Sequence, residues 1–376
     1  YHFVADAIIN HAGGVTRHDY SLEPYTQCYL GPQYALLRPP FLQKEKRVNS
    51  LHSFKKLFIN MGGADPLNDT CKVVEQVTTF AFFDEIYVVT GASYQFYNEL
   101  SQLIEADQRV KHYSDLNASD MASLMRECGM AVCPPSGVAF EYASFGGLLF
   151  LKQIADNQRK VKKYFIEQGL ALDYVVDFPQ VLDLDIIAEA EKLTKNQREI
   201  FDGKSDERLR HVFKRIENAK QISFRRVAEA DLLTCFEWAN DPEVRKSSYN
   251  SSPIALEDHK TWFNKKLNDP SSVFYIVEYN SKPVGQIRFD GVGEVVISYL
   301  IGREMRGKGL GSLILEQGVQ ALLKESTEVQ RIVGYVKLEN VASCKAFEKA
   351  GFIKGCQPNI PPDSVKYELS TSSTDK

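Results

Sequence analysis

The sequence of 376 residues lacks long hydrophobic runs. Its most apolar stretch, Gly146 to Leu151, has the length of a core strand, whereas a membrane helix needs roughly 20 apolar residues. Paired cysteines are lacking too, because the seven cysteines are scattered, odd in number and without a Cys-x-x-Cys motif. We therefore expect a cytoplasmic protein with no disulfide framework and no metal. Its cysteines are then reduced core residues: Cys28, Cys71, Cys128, Cys133, Cys235, Cys344 and Cys356.

A marked excess of one charge is also missing. The 45 Lys and Arg residues nearly balance the 49 Asp and Glu residues, and no long block of like charge occurs, which argues against a nucleic-acid partner. Hydrophobic residues make up 44% of the chain and charged residues 25%, which excludes collagen-like and disordered proteins. These values predict a folded enzyme or binding protein with small-molecule partners and no membrane partner.

The chain begins at Tyr1 rather than Met, without a basic region or an apolar signal segment. We expect that an upstream segment precedes Tyr1, rather than that a signal peptide was removed.

The length predicts two to three domains. From Lys55 to about Gly169 short apolar runs alternate with amphipathic stretches, which predicts a Rossmann-like parallel sheet covered by helices. Ligands of such sheets bind at the carboxyl ends of the strands, here after Ile59, Val88 and Val132. The predicted fold class is therefore α/β for a first domain at 1–219.

A second domain is predicted at 220–370, with a boundary near Ala219. Its order of strands and helices is typical of an α+β domain with an antiparallel sheet. The polar tail at 370–376 is expected to be frayed.

The sharpest local motif is the glycine-rich turn from Gly302 to Ser312, between a strand and an apolar helix. A Walker A loop would need Ser or Thr after Lys308, but Gly309 stands there. A dinucleotide fingerprint would need a different glycine spacing inside a βαβ unit. The remaining interpretation is Arg-x-x-Gly-x-Gly from Arg306, whose glycines let backbone amides approach a pyrophosphate at the start of the next helix.

This loop resembles the acetyl-CoA loop of the GNAT N-acetyltransferases. The strand EVVISYLI before it and the later segment ENVASCKAFEKAGF extend the similarity over about 140 residues. The resemblance implies that acetyl-CoA is the acetyl donor, and that its pantetheine pairs with a splayed strand ending near Tyr299 to Ile301. The implied cofactor-binding residues are Leu300, Ile301, Arg306, Gly307, Lys308, Gly309, Leu310, Gly311, Ser312, Asn340 and Ser343.

Acetyl transfer needs a neutral amine, a donor toward the oxyanion and a group that protonates the leaving thiolate. Many members of the resembled family carry a tyrosine at the position of Phe347. A phenylalanine has no hydroxyl and cannot donate a proton in its place. Tyr299, Glu294 and Ser298 are candidate substitutes, and direct attack that relies on positioning and water is the alternative.

The segment from Trp238 to Phe263 and the following GQIRFD are similar to the GNAT subgroup that acetylates nucleotide-linked amino sugars, especially in pseudaminic acid biosynthesis. The match implies acceptor contacts from Asn240, His259, Trp262 and Arg288. His259 as a surface or capping residue, and Trp262 as a core residue, remain open alternatives.

The first domain resembles the UDP-sugar hydrolases of the same pathway, which are relatives of the glycosyltransferase-B-like enzymes. Three phrases carry the similarity: LGPQYALLRPPF from Leu30, INMGGADP from Ile59 and IADNQ from Ile154. The implied UDP-sugar contacts are Gly62, Gly63, Asp65, Ser136, Gly137, Glu141, Asp156 and Gln158, with Asn157 as a candidate catalytic residue. Glu141 has a second interpretation, as an acid favoured by the dipole at a helix N-terminus.

The resembled hydrolases activate water with a histidine in a glycine-rich loop of their first Rossmann half. His2, His11 and His18 lie in no such loop, so this half and its histidine are expected to be missing from the sequence at hand.

The sequence thus predicts a bifunctional enzyme of nonulosonic acid and polysaccharide biosynthesis, which acts alongside other enzymes of that pathway. It would N-acetylate a UDP-4-amino-4,6-dideoxy sugar and release UDP from UDP-2,4-diacetamido-2,4,6-trideoxy-altropyranose. The alternatives are an acetyltransferase for proteins or other small amines, and a first domain that binds nucleotide sugar without turnover.

Overall fold

The computed structural model describes residues 1–23, 25–42, 49–181, 185–355, 361 and 363–371. Cys356 and most of the polar tail lie outside these residues. The chain divides into two compact units, Tyr1–Val212 and Phe213–Lys376. The boundary and the residue predicted for it, Ala219, both lie within one helix, Ser205–Gln221.

The first unit is built around a parallel sheet with helices on both sides. Its elements are β1 (His2–Phe3), β2 (Ala7–Asn10), β3 (Ser21–Leu22), β4 (Gln27–Leu30), α1 (Leu51–Phe54), β5 (Lys56–Ile59), α2 (Asp69–Thr78), β6 (Glu85–Thr90), α3 (Tyr97–Ala106), β7 (Val110–Ser114), α4 (Ala118–Glu127), β8 (Met130–Cys133), α5 (Gly137–Phe145), β9 (Leu148–Leu151), α6 (Arg159–Glu167), β10 (Leu172–Asp173), α7 (Tyr174–Val181), α8 (Ile186–Ile200) and α9 (Ser205–Gln221).

Six strands form this sheet in the order β10-β9-β8-β5-β6-β7, and all their pairs are parallel. Every residue of β8 and β9 is buried, as expected for strands with helices on both faces. Leu57 and Ile59 pack into one core, while Phe58 between them packs into the other. The predicted Rossmann-like sheet is confirmed. Residues 2–30 add two short parallel pairs, β1 with β3 and β2 with β4.

The second unit has one sheet, in the order β11-β12-β13-β14-β15-β17-β16. Its elements are β11 (Ile222–Arg226), α10 (Leu232–Ala239), α11 (Pro242–Ser247), α12 (Leu256–Leu267), β12 (Ser272–Tyr279), β13 (Lys282–Asp290), β14 (Glu294–Ile301), α13 (Leu310–Glu325), β15 (Arg331–Lys337), α14 (Val341–Lys349), β16 (Ile353–Gly355) and β17 (Ser364–Ser370).

The prediction of an antiparallel sheet is wrong at one place, because β14 and β15 are parallel. The helix α13 connects them and returns the chain to the same end of the sheet, which a parallel pair requires. Their register covers only Glu294 to Val296 on β14 and Arg331 to Val333 on β15, so the two strands separate beyond Val296. The sheet is therefore mixed, with a gap at its centre.

The six cysteines in the described residues are free, and four of them are buried. Within the described part of the chain, no helix combines the length and the apolar character needed to cross a membrane.

Candidate functional site

A cavity of about 1130 Å³ lies in the second unit, where β14 and β15 separate. One side is formed by the turn before α13 and by the beginning of α14. The other side is formed by α11, α12 and β13. The residues predicted for cofactor and acceptor that line it are His259, Trp262, Arg288, Tyr299, Leu300, Ile301, Arg306, Gly307, Gly309, Leu310, Gly311, Ser312, Asn340 and Ser343.

The turn before α13 depends on two glycines. Gly307 and Gly309 both have φ of 75°, in the left-handed region that side chains disfavour, and a Cβ at either would meet open space. Gly309 occupies the N-cap position of α13, and no side chain caps the helix there. The first amides of α13 are therefore available at the cavity wall, which favours an anionic ligand.

The separated part of β14 offers backbone groups on its free side. Gly302 N–H donates to the Val284 carbonyl, and antiparallel pairing alternates along the strand. By this alternation the backbone groups of Tyr299 and Ile301 point away from β13, into the gap. The Ile301 carbonyl accepts a bond from Arg306 Nε at 2.9 Å, which leaves Tyr299 as the main backbone partner for an extended ligand.

Arg306 joins the cofactor turn to α11. Its Nη1 donates to Asp241 Oδ1 at 2.8 Å, and this same oxygen accepts the amides of Glu243 and Val244 at the start of α11. Its Nη2 is buried without a hydrogen-bond partner among the described residues. Arg306 thus stabilises the turn through its contacts with Ile301 and Asp241, and it also lines the cavity.

Several predicted cofactor side chains are occupied within the protein. Ser312 Oγ accepts from Arg215 Nη1 at 2.9 Å, and Asn340 Oδ1 caps α14 through the Ser343 amide at 3.1 Å. Lys308 does not line the cavity, and its Nζ contacts Met305 Sδ instead. At Ser312 and Asn340 an acceptor position is therefore used within the protein, while the hydroxyl hydrogen of Ser312 and the Nδ2 group of Asn340 are not used by these bonds.

Tyr299 is the candidate proton donor at the cavity. Its hydroxyl lies 3.2 Å from Ser343 Oγ, and its ring contacts Phe347 edge-on at 6.0 Å between centroids. Burial raises the pKa of Tyr299, and the hydrogen bond with Ser343 opposes this shift. Phe347 is buried in the core, stacked on Tyr367 at 5.2 Å. Tyr299 thus keeps its proton at neutral pH.

Glu294 is not part of this site, contrary to the expectation that it could replace the missing acid. It lies at the other end of β14, five residues from Tyr299, which corresponds to roughly 16 Å along a strand. Its carboxylate pairs with Arg331 Nε at 3.1 Å, and it is absent from the cavity wall among the described residues. Ser298, the third candidate, does line the cavity.

The acceptor side contains a stack of aromatic and basic groups. The Arg288 guanidinium lies 4.8 Å from the centre of the Trp262 ring, and its Nε donates to Asp290 Oδ2 at 2.7 Å. His259 is buried and lies 5.3 Å from Trp262 between ring centroids. Trp262 packs on the small core of α10 and α12, which is the alternative role left open for it. It also lines the cavity, as the acceptor role requires.

Asn240 does not contact the cavity, although the sequence assigned it to the acceptor. Its Nδ2 donates to the Ile254 carbonyl at 3.1 Å, and its Oδ1 accepts the Ile254 amide at 2.8 Å. The side chain closes the loop between α11 and α12, and it is not among the residues that line the cavity.

Gln286 and Asp241 are site residues that the sequence analysis missed. Gln286 lines the cavity two positions from Arg288 on β13, so the alternation of a strand could have pointed to it. Asp241 acts through Arg306, and no sequence pattern reveals a contact across 65 positions.

The candidate site of the first unit lies where the strand order reverses. The chain runs from β5 through β6 to β7 on one side, and β8 returns to the other side of β5. Gly62 and Gly63 follow β5, and Ser136 and Gly137 follow β8, so both glycine turns flank this crevice. A Cβ at Gly62, Gly63 or Gly137 would meet open space, and Gly62 has φ of 92°.

Asp65 is occupied in capping α2 rather than free for a sugar. Its two oxygens accept the amides of Asp69 at 2.8 Å and Thr70 at 2.7 Å, and the residue is buried.

Glu141 is held by an arginine that the sequence analysis did not single out. Arg38 Nε and Nη2 donate to its two oxygens at 2.7 and 2.8 Å. This contact raises the pKa of Arg38. Glu141 is the fifth residue of α5, so neither its expected ribose contact nor the dipole alternative describes its observed partner.

Asp156, Asn157 and Gln158 form a short 3-10 helix after β9. Asp156 and Asn157 are exposed, whereas Gln158 Oε1 accepts the Ile154 amide at 3.0 Å. Across the described residues, no three His, Cys, Asp or Glu side chains come together as a possible metal site.

Comparison with known proteins identifies the second unit. Residues 221–353 match the family model of the acetyltransferase (GNAT) domain. The second unit is therefore a GNAT acetyltransferase domain, as the turn at Arg306 predicts, and the α/β fold class with a C-terminal GNAT fold is confirmed.

Relatives and solved structures extend the comparison. An uncharacterised protein of Methanocaldococcus jannaschii is 24% identical over 372 residues, which cover 93% of this chain and 74% of that protein. The spore coat polysaccharide biosynthesis protein SpsG of Bacillus subtilis is 26% identical over 172 residues, or 45% of this chain and half of SpsG. The crystal structure of spermidine N-acetyltransferase from Vibrio cholerae in complex with CoA and spermine is 16% identical, covers 40% of this chain and 96% of that chain, and gives a TM-score of 0.36.

Proposed function

We propose that the second unit transfers an acetyl group from acetyl-CoA to the amine of a nucleotide-linked 4-amino-4,6-dideoxy sugar. The observation that carries this proposal is the meeting of uncapped α13 amides and the free edge of β14 in one cavity. An anion binds well at such amides, and an extended amide chain pairs with such an edge. CoA combines both features in one molecule.

The residues of the cavity would have separate roles in cofactor binding and acetyl transfer. The amides after Gly307 hold the pyrophosphate, and the Tyr299 backbone pairs with the pantetheine, so that the thioester lies beside β14. The amine nitrogen attacks the acetyl carbon, a C–N bond forms and the C–S bond breaks. The thiolate then takes a proton, for which the Tyr299 hydroxyl is the candidate donor.

The amino-sugar acceptor is supported by two separate arguments. The sequence from Trp238 to Phe263 resembles acetyltransferases of nucleotide-linked amino sugars, and Trp262 lines the cavity with Arg288 above it. An aromatic ring offers a flat apolar face to a deoxysugar, and a guanidinium binds the phosphates of the attached nucleotide.

The match to SpsG, a polysaccharide biosynthesis protein, concerns the first unit. It is longer than residues 213–376, so it includes part of the first unit. We therefore propose that the first unit binds the nucleotide sugar at the crevice between β5 and β8.

Hydrolytic release of UDP by the first unit is the further part of this proposal. The Arg38–Glu141 pair bears on it, because Glu141 can accept ribose hydroxyls only if Arg38 moves or binds the diphosphate instead.

The test is mass spectrometry of the full chain with acetyl-CoA and UDP-4-amino-4,6-dideoxy-N-acetyl-altrosamine. An acetylated nucleotide sugar supports the acetyltransferase, and free diacetamido sugar with UDP supports hydrolysis as well. The nucleotide sugar could instead remain unchanged while a polyamine or a peptide N-terminus is acetylated in a parallel reaction. That result would make the other amine the acceptor in place of the amino sugar.

UDP titration tests the first unit alone. Gly63→Asp adds a carboxylate at the crevice without a steric clash, so it should weaken UDP binding at least tenfold through charge repulsion. Ser119→Asp, at an exposed position of α4, adds the same charge elsewhere and should leave binding unchanged. Equal UDP affinity in both variants would contradict a site at this crevice.

A further inference from the structure

Four buried polar atoms of residues that line the acetyltransferase cavity have no hydrogen-bond partner among the described residues: the donors Arg245 Nε and Arg306 Nη2, and the acceptors His259 Nε2 and Gln286 Oε1. His259 is 2% exposed and Gln286 is 8% exposed, and both line the cavity. An unpaired buried polar group costs about 1–3 kcal/mol, so four of them at one cavity indicate a ligand that pairs with them.

The packing of α12 along β13 brings His259 and Gln286 to the same end. Lys266 Nζ lies 2.8 Å from Asp290, and Trp262 lies against Arg288. His259 lies one turn before Trp262 on α12, and Gln286 lies two positions before Arg288 on β13. Both steps run in the same direction. Gln286 in turn pairs with Leu300, beside the free edge of β14.

The imidazole nitrogen without a partner, Nε2, belongs to a residue that lines the cavity. A backbone hydrogen bond at Leu232 involves the ring, and because Nε2 has no partner, this contact favours the tautomer with a lone pair on Nε2. Burial lowers the pKa of His259, and the Leu232 contact opposes that shift. Phe236, Trp262 and Phe263 surround the ring, so it is neutral and held in place near pH 7.

We propose that His259 Nε2 and Gln286 Oε1 dock the acceptor amine, and that His259 accepts the proton which the amine loses before attack. This inference rests on the proposed acetyl transfer. These two acceptors match a primary ammonium group, which offers three N–H donors, whereas the unpaired donors Arg245 Nε and Arg306 Nη2 require an acceptor instead. A hydroxyl has only one donor and would leave one of the two atoms unpaired.

The charged groups around the site agree with this assignment. Arg288 on β13 disfavours a second positive charge nearby, which promotes release of the proton from the ammonium. The other charged residues of the cavity wall are Glu243 and Arg245 on α11, Asp258 on α12, Arg306 in the turn before α13, Lys337 on β15, and Lys345 and Lys349 on α14. Cys235 on α10 is buried in the adjacent core.

The proton balance of the step is complete. The ammonium gives one proton to His259, and the neutral amine forms the C–N bond while the C–S bond breaks. The second N–H proton passes to the thiolate by way of the Tyr299 hydroxyl, which gives up its own proton and takes this one, and CoA-SH leaves. The imidazolium then releases its proton to solvent.

The experiment compares His259→Gln and Gln286→Leu with the wild type, using the full chain and the amine that the wild type acetylates. For His259→Gln we expect kcat/KM for the amine to fall at least a hundredfold, with the Kd of acetyl-CoA within twofold. The acidic limb of the pH profile of kcat/KM should shift away from that of the wild type. For Gln286→Leu we expect the amine KM to rise about tenfold, because one N–H donor loses its partner. His52→Gln, at an exposed position, serves as the matched control.

Each outcome decides a different claim. A His259→Gln variant that retains kcat/KM within threefold, with the wild-type pH profile, overturns the inference and leaves the acetyltransferase standing. A wild type that acetylates no amine, although acetyl-CoA binds, overturns the proposed function and the inference together. If His259→Gln does not fold, an unchanged amine KM in Gln286→Leu contradicts the docking site.

Discussion

Arg306 Nη1 lies 2.8 Å from Asp241 Oδ1, and this ion pair joins the turn before α13 to the first turn of α11. The turn belongs to the cofactor side of the cavity, and α11 belongs to its acceptor side. The two sides are thus connected by a half-buried contact rather than by the sheet alone.

Asp241→Asn should weaken this connection without removing the cap of α11. The asparagine oxygen still accepts the amides of Glu243 and Val244, but the Arg306 charge loses its counterion. We expect the free energy of unfolding to fall by about 1–2 kcal/mol for a pair that is partly exposed. The Kd of acetyl-CoA should rise severalfold. Urea unfolding and calorimetric titration measure the two effects, and Glu304→Gln on the exposed part of the same turn should change neither.

Gly309→Ala should weaken acetyl-CoA binding through backbone strain. Both Gly309 and Gly293 have φ between 72° and 75° and open space at the Cβ position, so alanine costs each about 1 kcal/mol. Gly309 precedes the amides proposed to bind the pyrophosphate, whereas Gly293 lies in the turn between β13 and β14. We expect similar losses of stability, but a Kd increase of about tenfold only for Gly309→Ala. Equal affinities in the two variants would contradict the proposed pyrophosphate site.

Tyr299→Phe and Glu294→Gln separate the two catalytic candidates on β14. Loss of a proton donor should lower kcat about 10- to 100-fold in Tyr299→Phe, with the Kd of acetyl-CoA nearly unchanged. Glu294→Gln should leave kcat within twofold, because its carboxylate pairs with Arg331 away from the cavity. Steady-state kinetics decide between them, and a full rate in Tyr299→Phe would favour direct attack with water as the proton carrier.

Glu85 should make the first unit sensitive to acid. Hydrogen bonds from Lys111, Tyr87 and Lys56, against an opposing effect of burial, lower the pKa of Glu85 to about 2. A lowered folded pKa stabilises the protein above the unfolded value, near 4.5, and this contribution disappears as the pH falls toward 2. After allowance for solvent, we expect Glu85→Gln to cost about 1–2 kcal/mol at pH 7 and much less at pH 3.

Urea unfolding of the full chain at both pH values measures this effect. The two units require separate transitions in the fit, since a chain of two compact units need not unfold in one step. Glu105→Gln at the exposed end of α3 is the control, and an equal loss at pH 3 and pH 7 would contradict the charge-based origin.

Periodicity was sufficient to find most elements of this fold. The alternation predicted from Lys55 to about Gly169 corresponds to the strands and helices from β5 to α6, and the predicted strand EVVISYLI agrees with β14 at both ends. Each combines a clear apolar period with turn residues at its borders, and both signals are local. The parallel pairing of β14 with β15 was not predicted, because strand direction depends on how a long connection folds back.

Side-chain roles were predicted less well than elements. Asp65 and Asn340 proved to be helix caps, Asn240 closes a loop, and Glu141 pairs with Arg38. Carboxylates and amides are suited equally to a ligand and to a backbone amide, so their chemistry alone does not distinguish the two. Glycine positions carried more information, since an open turn with positive φ admits few other residues.

The gap between β14 and β15 has a consequence for amide hydrogen exchange. Ser298 and Leu300 face β13 and have their amides protected by it, whereas the Tyr299 amide faces the gap. Neighbouring amides on one strand should therefore exchange at very different rates in the free protein. A bound pantetheine chain would slow exchange at Tyr299 selectively, so this single amide reports occupancy of the cavity without any enzymatic assay.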